Sequence, residues 1–375
     1  MSTTADGGAS LHAHQILRSL KQKHNVLVSG APATGKTRVL TEVNDLFAGV
    51  GSPPPFAPAG PNAFPVEGAV QPGSELPSPT KTKRRVWWVT FHQGTKYRDF
   101  VCGLRPRVGK GVEFEVVVGP LVDAIIHASS PDGASLVIID EINRGPAVLA
   151  FGQLIGAIES SKRAAPDGTA TRESVPFDIL TPDGKTETRY MPADLYILAA
   201  MNEADTSIEP LDVAFRRRFA PYVLPVDESL LRAWFGLPTT PATLPTAAAA
   251  VTDVYEGLVQ AWVAVNRTIE LGRGREFQLG HGALMLKPQT ETSLALLDAV
   301  ELWATLVAHA REVFFGDTPG LAEAIGADQA ASPYRLEEEL FGGTPAPRLV
   351  EPKIDVTNVY AVLRSAAGAP PPAPA

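Results

Sequence analysis

The sequence has little of several features that would place it in a special class of protein. It contains a single cysteine, Cys102, which excludes an internal disulfide and a zinc site built from several cysteines. No apolar run reaches the roughly 18–20 residues of a membrane span, and Met1–Ser10 lacks the basic start and apolar stretch of a secretory signal. The net charge of −8 gives no bulk attraction for nucleic acid or anionic lipid. We therefore expect a cytoplasmic protein that does not associate with membranes.

The length of 375 residues is sufficient for about two compact domains. Apolar strands alternate with helical patterns up to Leu224, whereas only helical patterns follow from Glu228. This order predicts an α/β domain with a parallel sheet, followed by a helical domain. The predicted divisions are an N-terminal lead with a short helix over 1–24, the α/β core over 25–225, the helical lid over 226–345, and a tail over 346–375 that is disordered from about residue 366.

A proline-rich stretch over residues 49–85 interrupts the α/β pattern and shows no apolar periodicity. We predict that it forms a flexible insertion on the surface. The stretch ends in Lys81, Lys83, Arg84 and Arg85. This basic run is compatible with a solvated loop end and with a contact to nucleic acid or a partner.

The strongest motif is Gly30-x4-Gly35-Lys36-Thr37, which lies between a buried strand and a helix. Its glycines allow a tight backbone arch whose N–H groups point at phosphate oxygens, and the helix directs its positive end at the same anion. Lys36 would reach the β and γ phosphates, and the Thr37 hydroxyl would bind Mg²⁺. The predicted nucleotide-binding residues are Gly30, Ala31, Pro32, Ala33, Thr34, Gly35, Lys36 and Thr37.

Two further strands end in polar side chains that suit the same site. The strand Leu136–Ile139 delivers Asp140 and Glu141 at its carboxyl end, where open α/β sheets bind ligands. Asp140 would hold Mg²⁺ with its hydration shell, and Glu141 would orient or deprotonate the attacking water. Asn202 ends another apolar strand and would position that water against the γ phosphate.

Arg216, Arg217 and Arg218 follow a short helical pattern. One of them would serve as an arginine finger that neutralises charge as the γ phosphate departs. The alternative is a basic helix end that the helix dipole favours. A finger at this position would serve a neighbouring subunit, which would make an oligomer necessary for turnover.

The order of these elements resembles that of AAA+ ATPases, and within them the McrB type, which is the motor subunit of modification-dependent restriction systems. The resemblance covers roughly residues 25–317. The segments that carry it are Thr90–Gln93, Tyr97–Pro106, Asp140–Gly145, Phe151–Ile155, Lys162–Arg163, Met201–Asp205, Leu211–Phe219, Phe277–His281 and Arg311–Asp317.

The resemblance implies an AAA+ fold and a hexameric ring with Mg²⁺ and nucleotide between its subunits. It assigns Asn202 as the sensor and favours Arg217 and Arg218 as the arginines that act in trans. It also implies a separate McrC-like nuclease subunit, with any DNA contact indirect or through partners. Only about 25 residues precede the first strand, so we expect the family's N-terminal DNA-recognition domain to be absent.

Glu203 and Thr206 depart from the family pattern in the segment around Asn202. Because some McrB-like proteins use GTP, this change favours ATP as the nucleotide and leaves GTP as the alternative.

Two other functions remain open on the sequence: a MoxR-like AAA+ chaperone that remodels proteins, and a nucleotide-gated scaffold with little hydrolysis. Phe151–Ile155 and Phe277–His281 favour the McrB type over the chaperone. The presence of Lys36, Asp140 and Glu141 together argues against the scaffold. His281 is either a loop or core histidine or a residue close to the nucleotide.

Overall fold

The computed structural model describes residues 10–49, 76–107, 113–181, 183–204, 211–327, 329 and 332–370. Its strands are β1 (Asn25–Gly30), β2 (Lys83–Thr90), β3 (Cys102–Arg107), β4 (Glu113–Val118), β5 (Gly133–Asp140), β6 (Pro176–Leu180), β7 (Thr186–Tyr190), β8 (Leu195–Asn202), β9 (Ala220–Val223), β10 (Arg335–Phe341) and β11 (Thr344–Val350). Its α-helices are α1 (Leu11–Lys23), α2 (Lys36–Ala48), α3 (Tyr97–Phe100), α4 (Pro120–Ala128), α5 (Ala147–Phe151), α6 (Val213–Arg216), α7 (Glu228–Trp234), α8 (Val251–Gly272), α9 (Thr292–Val313), α10 (Thr318–Ala324) and α11 (Val359–Ala366).

The central sheet has the strand order β2-β5-β8-β1-β9, and each neighbouring pair is parallel. Its three inner strands are buried almost from end to end. A parallel strand covered on both faces reads as a continuous apolar run, which is the pattern of Leu136–Ile139. The predicted α/β core with a parallel sheet, and the helical region after it, are confirmed.

The contacts between Cα atoms divide the chain into two compact units. The first contains the sheet and its helices up to Leu224. The second contains the chain from Pro225 onward, together with Ala31–Thr34, the tip of the loop after β1. Most of the predicted insertion, residues 50–75, lies outside the described residues, as do residues 1–9 of the lead and 371–375 of the tail.

Helix α9 corrects one expectation from the sequence, because its 22 residues are long and apolar enough to cross a membrane by length and composition. Of its most apolar window, 39% is buried inside the protein. Trp303, Leu306 and Ala310 on this helix belong to the core of the second unit. Core helices of soluble proteins meet the same criterion, and packing within this unit accounts for the buried part of α9.

Two local differences from the sequence prediction have a backbone cause. The sequence favours an apolar helix that begins at Pro146 and continues to about Ile158, but in the structure α5 ends at Phe151, where Gly152 adopts φ +52°. A side chain at position 152 would meet the Tyr97 ring at 2.7 Å. At the end of the predicted helical lid and the start of the predicted tail, β10 and β11 form an antiparallel hairpin. Gly342 and Gly343, both with positive φ, make its two-residue turn.

The second unit contains a buried ion pair between Arg232 of α7 and Glu256 of α8. The side chains are 2% and 5% exposed, and two N–H···O bonds of 2.6 and 3.0 Å join them. Burial alone would raise the pKa of Glu256, but the hydrogen bonds from Arg232 and Gln260 lower it below its ordinary value. The pair therefore stabilises the fold above the ordinary glutamate pKa, and this contribution is lost as the pH falls through the lowered pKa.

We expect Glu256→Ala to lower the free energy of unfolding by about 3 kcal/mol, because the buried Arg232 guanidinium then keeps only the partly exposed Glu228 as an ion-pair partner. Urea denaturation followed by tryptophan fluorescence measures this loss. The matched control is Glu339→Ala, which removes a pair with Arg348 whose side chains are 62% and 60% exposed; it should cost at most about 1 kcal/mol. Equal losses in the two variants would contradict the prediction.

Candidate functional site

The loop after β1 has the backbone shape of a phosphate-binding arch. Ala33 and Gly35 have left-handed backbones, with φ values of +58° and +85°, and α2 begins directly afterwards at Lys36. The Thr34 hydroxyl is buried and donates a hydrogen bond of 2.9 Å to the Ala31 carbonyl. The predicted nucleotide-binding residues therefore lie on one continuous turn at the start of a helix, where unsatisfied N–H groups favour an anion.

Lys36 lies inside this turn, and its Nζ donates a hydrogen bond of 2.8 Å to the Gly30 carbonyl. Burial lowers the pKa of Lys36 to about 8, while the negative charges of Glu141, Asp140 and Glu203 act in the opposite direction. The lysine is thus a partly desolvated cation beside several carboxylates, and a bound phosphate would favour its charged form.

Asp140 and Glu141 follow one another at the carboxyl end of β5, and they have different backbone conformations. Glu141 has φ +55°, which is uncommon for a residue with a side chain, and its N–H donates 3.0 Å to Asp140 Oδ1. Burial and then the charge of Glu141 raise the pKa of Asp140. Two neighbouring carboxylates in a half-buried position are a setting in which a cation would relieve repulsion.

Asn202 ends β8 beside Gly30 of β1 in the parallel register. Its Nδ2 donates to Glu141 Oε1 at 3.1 Å, so the structure brings the predicted sensor and the predicted base into direct contact. Two residues that the sequence analysis did not single out complete this group. Asn143 Nδ2 donates 2.9 Å to the Asn202 carbonyl, and Arg144 Nε lies 3.1 Å from Glu141 Oε2. Both belong to the segment Asp140–Gly145. Its resemblance to the McrB type was the sequence signal that could have identified them.

Thr37, the other predicted Mg²⁺ ligand, lies in the first turn of α2, and its carbonyl accepts a bond from the Thr41 hydroxyl. No hydrogen bond joins Thr37 to Asp140 among the residues that the structure describes. Thr206 and the rest of 205–210 lie outside that set.

The three arginines after α6 have different surroundings. Arg218 is largely buried on its side chain, which donates to the Ala214 carbonyl and lies 4.0 Å from Glu159 Oε2. Arg216 lies 4.0 Å from Glu203 Oε1. The Arg217 backbone N–H donates 3.1 Å to the Val213 carbonyl, whereas its exposed side chain makes no hydrogen bond or ion pair within the described part of the chain. Of the two arginines predicted to act in trans, the structure leaves Arg217 available and engages Arg218 within its own subunit.

Comparison with known proteins identifies this region. Residues 77–219 match the model of the AAA domain, dynein-related subfamily. This part of the chain is an AAA domain of that subfamily. The match contains Asp140, Glu141, Asn202 and the arginines, whereas the Gly30–Thr37 loop precedes it.

Two curated relatives are subunits of restriction systems. The Type IV methyl-directed restriction enzyme EcoKMcrB subunit of Escherichia coli K12 is 31% identical over 206 residues, which is 55% of this chain and 36% of the relative. The Type II restriction enzyme BsuMI component YdiS of Bacillus subtilis 168 is 29% identical over 215 residues, 56% of this chain and 59% of the relative. The AAA protein is homologous to both over about 55% of its length, and it spans less than two thirds of either.

The tip of the loop, Ala31–Thr34, makes close backbone contacts within the second unit. Gly280 N–H donates 2.8 Å to the Pro32 carbonyl, and Gly282 N–H donates 3.0 Å to the Ala33 carbonyl. A Cβ atom on Gly280 would lie 2.3–2.4 Å from backbone atoms of Ala33 and Thr34. His281 between the glycines is buried, and its Nδ1 accepts from the Asp227 N–H at 3.2 Å. The segment therefore fits against the loop only with glycine at position 280.

We expect Gly280→Ala to weaken nucleotide binding about tenfold or more, because the added methyl group displaces the loop backbone. Overpacking of this kind typically costs about 1–3 kcal/mol, and 1.4 kcal/mol corresponds to a factor of ten in affinity. Titration with a fluorescent nucleotide measures the change. Gly156→Ala is the control, since a Cβ there meets only Val175 at an ordinary 3.7 Å. An unchanged affinity in Gly280→Ala would show that the loop does not depend on this contact.

Proposed function

We propose that this AAA protein binds and hydrolyses a Mg²⁺-nucleoside triphosphate at the subunit interfaces of a ring. The observation that carries the proposal is the contact between Asn202 and Glu141 at the edge of the sheet where β1 leads into the Gly30–Thr37 loop. A carboxylate and an amide held together beside a phosphate-binding loop suit the orientation of an attacking water.

Mg²⁺ fits the oxygen donors of this edge. It keeps several waters and takes one or two protein oxygens together with the phosphates. Thr37 and Asp140 supply a hydroxyl and a carboxylate. Burial and then the charge of Glu141 raise the pKa of Asp140, and a cation would favour its charged form. When bound, the ion would neutralise charge that develops on the phosphates. Among the described residues no cluster of three or more His, Cys, Asp or Glu side chains competes for a metal ion.

The protein's own residues have separate roles in this mechanism. Lys36 binds the β and γ phosphates and, by moving onto them, gives up its bond to the Gly30 carbonyl. Glu141 orients the water and accepts its proton, and the Asn202 amide, which donates to Glu141 Oε1, holds that carboxylate in place. Arg144 contacts the other oxygen, Oε2, at 3.1 Å and helps to hold the carboxylate in place.

The position of the arginines supports action in trans. β9 pairs with β1 from Val26↔Ala220, and the Arg218 carbonyl accepts a 3.0 Å bond from the Asn25 side chain. The Arg218 backbone therefore lies at the amino end of β1, whereas the phosphate-binding loop follows its carboxyl end. At about 3.3 Å per residue, Asn25 and Gly30 are roughly 16 Å apart along the strand. Arg216 extends towards the loop and lies 4.0 Å from Glu203 Oε1, whereas the exposed Arg217 side chain has no partner in the described part of the chain and suits a neighbouring subunit's nucleotide.

The homology to restriction-system subunits supports the wider biological proposal. We infer that the protein forms a homo-oligomer, and we propose a hexameric ring. This ring would act in the cytoplasm as the motor of a restriction or defence system. A McrC-like nuclease subunit would be its partner, and DNA would be contacted indirectly or through partners. ATP is the proposed nucleotide, because Glu203 and Thr206 depart from the family pattern. GTP is the alternative.

Glu141→Gln should retain nucleotide affinity and lose hydrolysis by about 10²–10⁴-fold, because the amide cannot accept the proton of the water. Steady-state phosphate release and a binding titration, each with ATP and with GTP, measure both properties and the preferred base. Lys36→Ala serves as the contrasting variant, since it should weaken binding itself. Near-normal turnover by Glu141→Gln would remove this residue from the proposed role.

Arg217→Ala should bind nucleotide normally and hydrolyse it slowly, because a trans arginine contributes about 10³–10⁵-fold to the rate. Mixing it with Glu141→Gln should restore part of the activity. In a mixed ring, the intact Glu141 of one variant faces the intact Arg217 of the other at some interfaces. Arg216→Ala is the matched control and should lose less activity. Absence of recovery on mixing would indicate that the arginines act in cis or only structurally.

A further inference from the structure

Asn25 and Arg163 form a buried polar cluster at the amino end of β1, away from the phosphate-binding loop. Asn25 is 0% and Arg163 is 4% exposed. The Arg163 guanidinium donates to neutral oxygens, which are the carbonyls of Ile158, Pro192 and Leu195 and the side chain of Asn25. Such a buried charge is tolerated only because its donors are satisfied. The hydrogen bonds of Arg163 therefore hold several chain segments together.

The Asn25 amide connects this point to the arginine segment. Its Oδ1 accepts from Arg163 at 2.7 Å, while its Nδ2 donates 2.8 Å to the Ile158 carbonyl and 3.0 Å to the Arg218 carbonyl. Arginine can only donate, so the oxygen of the amide must face Arg163 and its NH₂ group must face the two carbonyls. Arg163 thereby fixes the direction in which Asn25 donates.

We propose that Asn25 is a positioning residue for the trans arginine segment Arg216–Arg218, and that Arg163 holds the Asn25 amide in the orientation this requires. The inference rests on the proposed function, because it assumes that Arg217 acts on a neighbouring subunit's nucleotide. Arg217 is one residue from the carbonyl that Asn25 binds. The cluster therefore fixes the position from which the Arg217 side chain projects from the subunit.

Asn25→Asp keeps the accepting oxygen of this side chain and removes its donating NH₂ group. The carboxylate still accepts from Arg163, but it has no donor for the Arg218 carbonyl and places an oxygen against it. We expect kcat to fall by about 10–10²-fold, since a displacement of about 1 Å can cost that much. KM and nucleotide affinity should not change, because the phosphate-binding loop lies at the other end of β1.

Ser135→Ala is the matched control for a lost buried hydrogen bond. Ser135 is 0% exposed near the amino end of β5, and its hydroxyl donates 2.8 Å to the Ala124 carbonyl. It does not touch the arginine segment. A general loosening of the fold would lower the melting temperature of both variants, whereas the proposed role lowers kcat in Asn25→Asp alone.

Mixing experiments distinguish positioning from a structural defect. Asn25→Asp retains its own loop and Glu141, so a ring shared with Glu141→Gln subunits receives correctly placed arginines from them and should regain activity. The Arg217→Ala mixture is run in parallel. Recovery in both mixtures supports the inference. Recovery with Arg217→Ala alone, or a normal kcat in Asn25→Asp, overturns the inference and leaves the proposed function intact.

The remaining outcomes also decide whether Asn25 is a positioning residue. If the Arg217→Ala mixture does not recover, the trans arginine itself is wrong, and the inference falls with it. If Asn25→Asp does not fold or bind nucleotide, Asn25→Ala is tested in the same way, since it removes the donor without adding repulsion. Loss of folding in both variants would show that Asn25 maintains the fold and not the arginine segment, which overturns the proposal.

Discussion

Parallel pairing of β1 with β8 is the constraint on which the candidate site depends. It places Gly30 beside Asn202, and the pairing of β8 with β5 brings Asp140 and Glu141 to the same edge. Because all carboxyl ends of parallel strands meet at one edge, residues more than a hundred positions apart converge there. A slip of one residue in either pair would turn these side chains to the other face of the sheet.

The amino ends of the same strands form the other functional edge. Asn25 contacts the Arg218 carbonyl there, and the buried Arg163 links that contact to the start of β8 at Leu195. β1 therefore leads into the proposed nucleotide-binding loop at one end and carries at the other the Asn25 amide that binds the Arg218 carbonyl. Its rigidity comes from complete burial in the middle of the sheet.

The fold class could be predicted because its signals are local. The continuous apolar runs of β5 and β8, and the glycine-rich turn between a strand and a helix, identify a parallel α/β domain. The β10–β11 hairpin was missed because its exposed strands show no apolar alternation. Helix α5 was extended too far because the apolar pattern continues past Gly152, whose positive φ ends the helix. In the site, the motif residues were identified from spacing. The contact of Arg144 with Glu141 is local, at a separation of three residues, whereas that of Asn25 with Arg218 depends on tertiary structure and has no spacing signal.

The two edges of the sheet also explain why a ring would be required for the proposed reaction. The charge that develops on the γ phosphate in the transition state needs a cation. In the proposed mechanism Lys36 already binds the phosphates in the ground state. The arginine most available to supply it in the proposed mechanism is Arg217, whose side chain is exposed. A second subunit would bring this arginine to the nucleotide. In such an arrangement the nucleotide state of one subunit acts through Arg217 on the Asn25–Arg163 cluster of its neighbour, so hydrolysis at one interface is physically connected to the core of the next subunit.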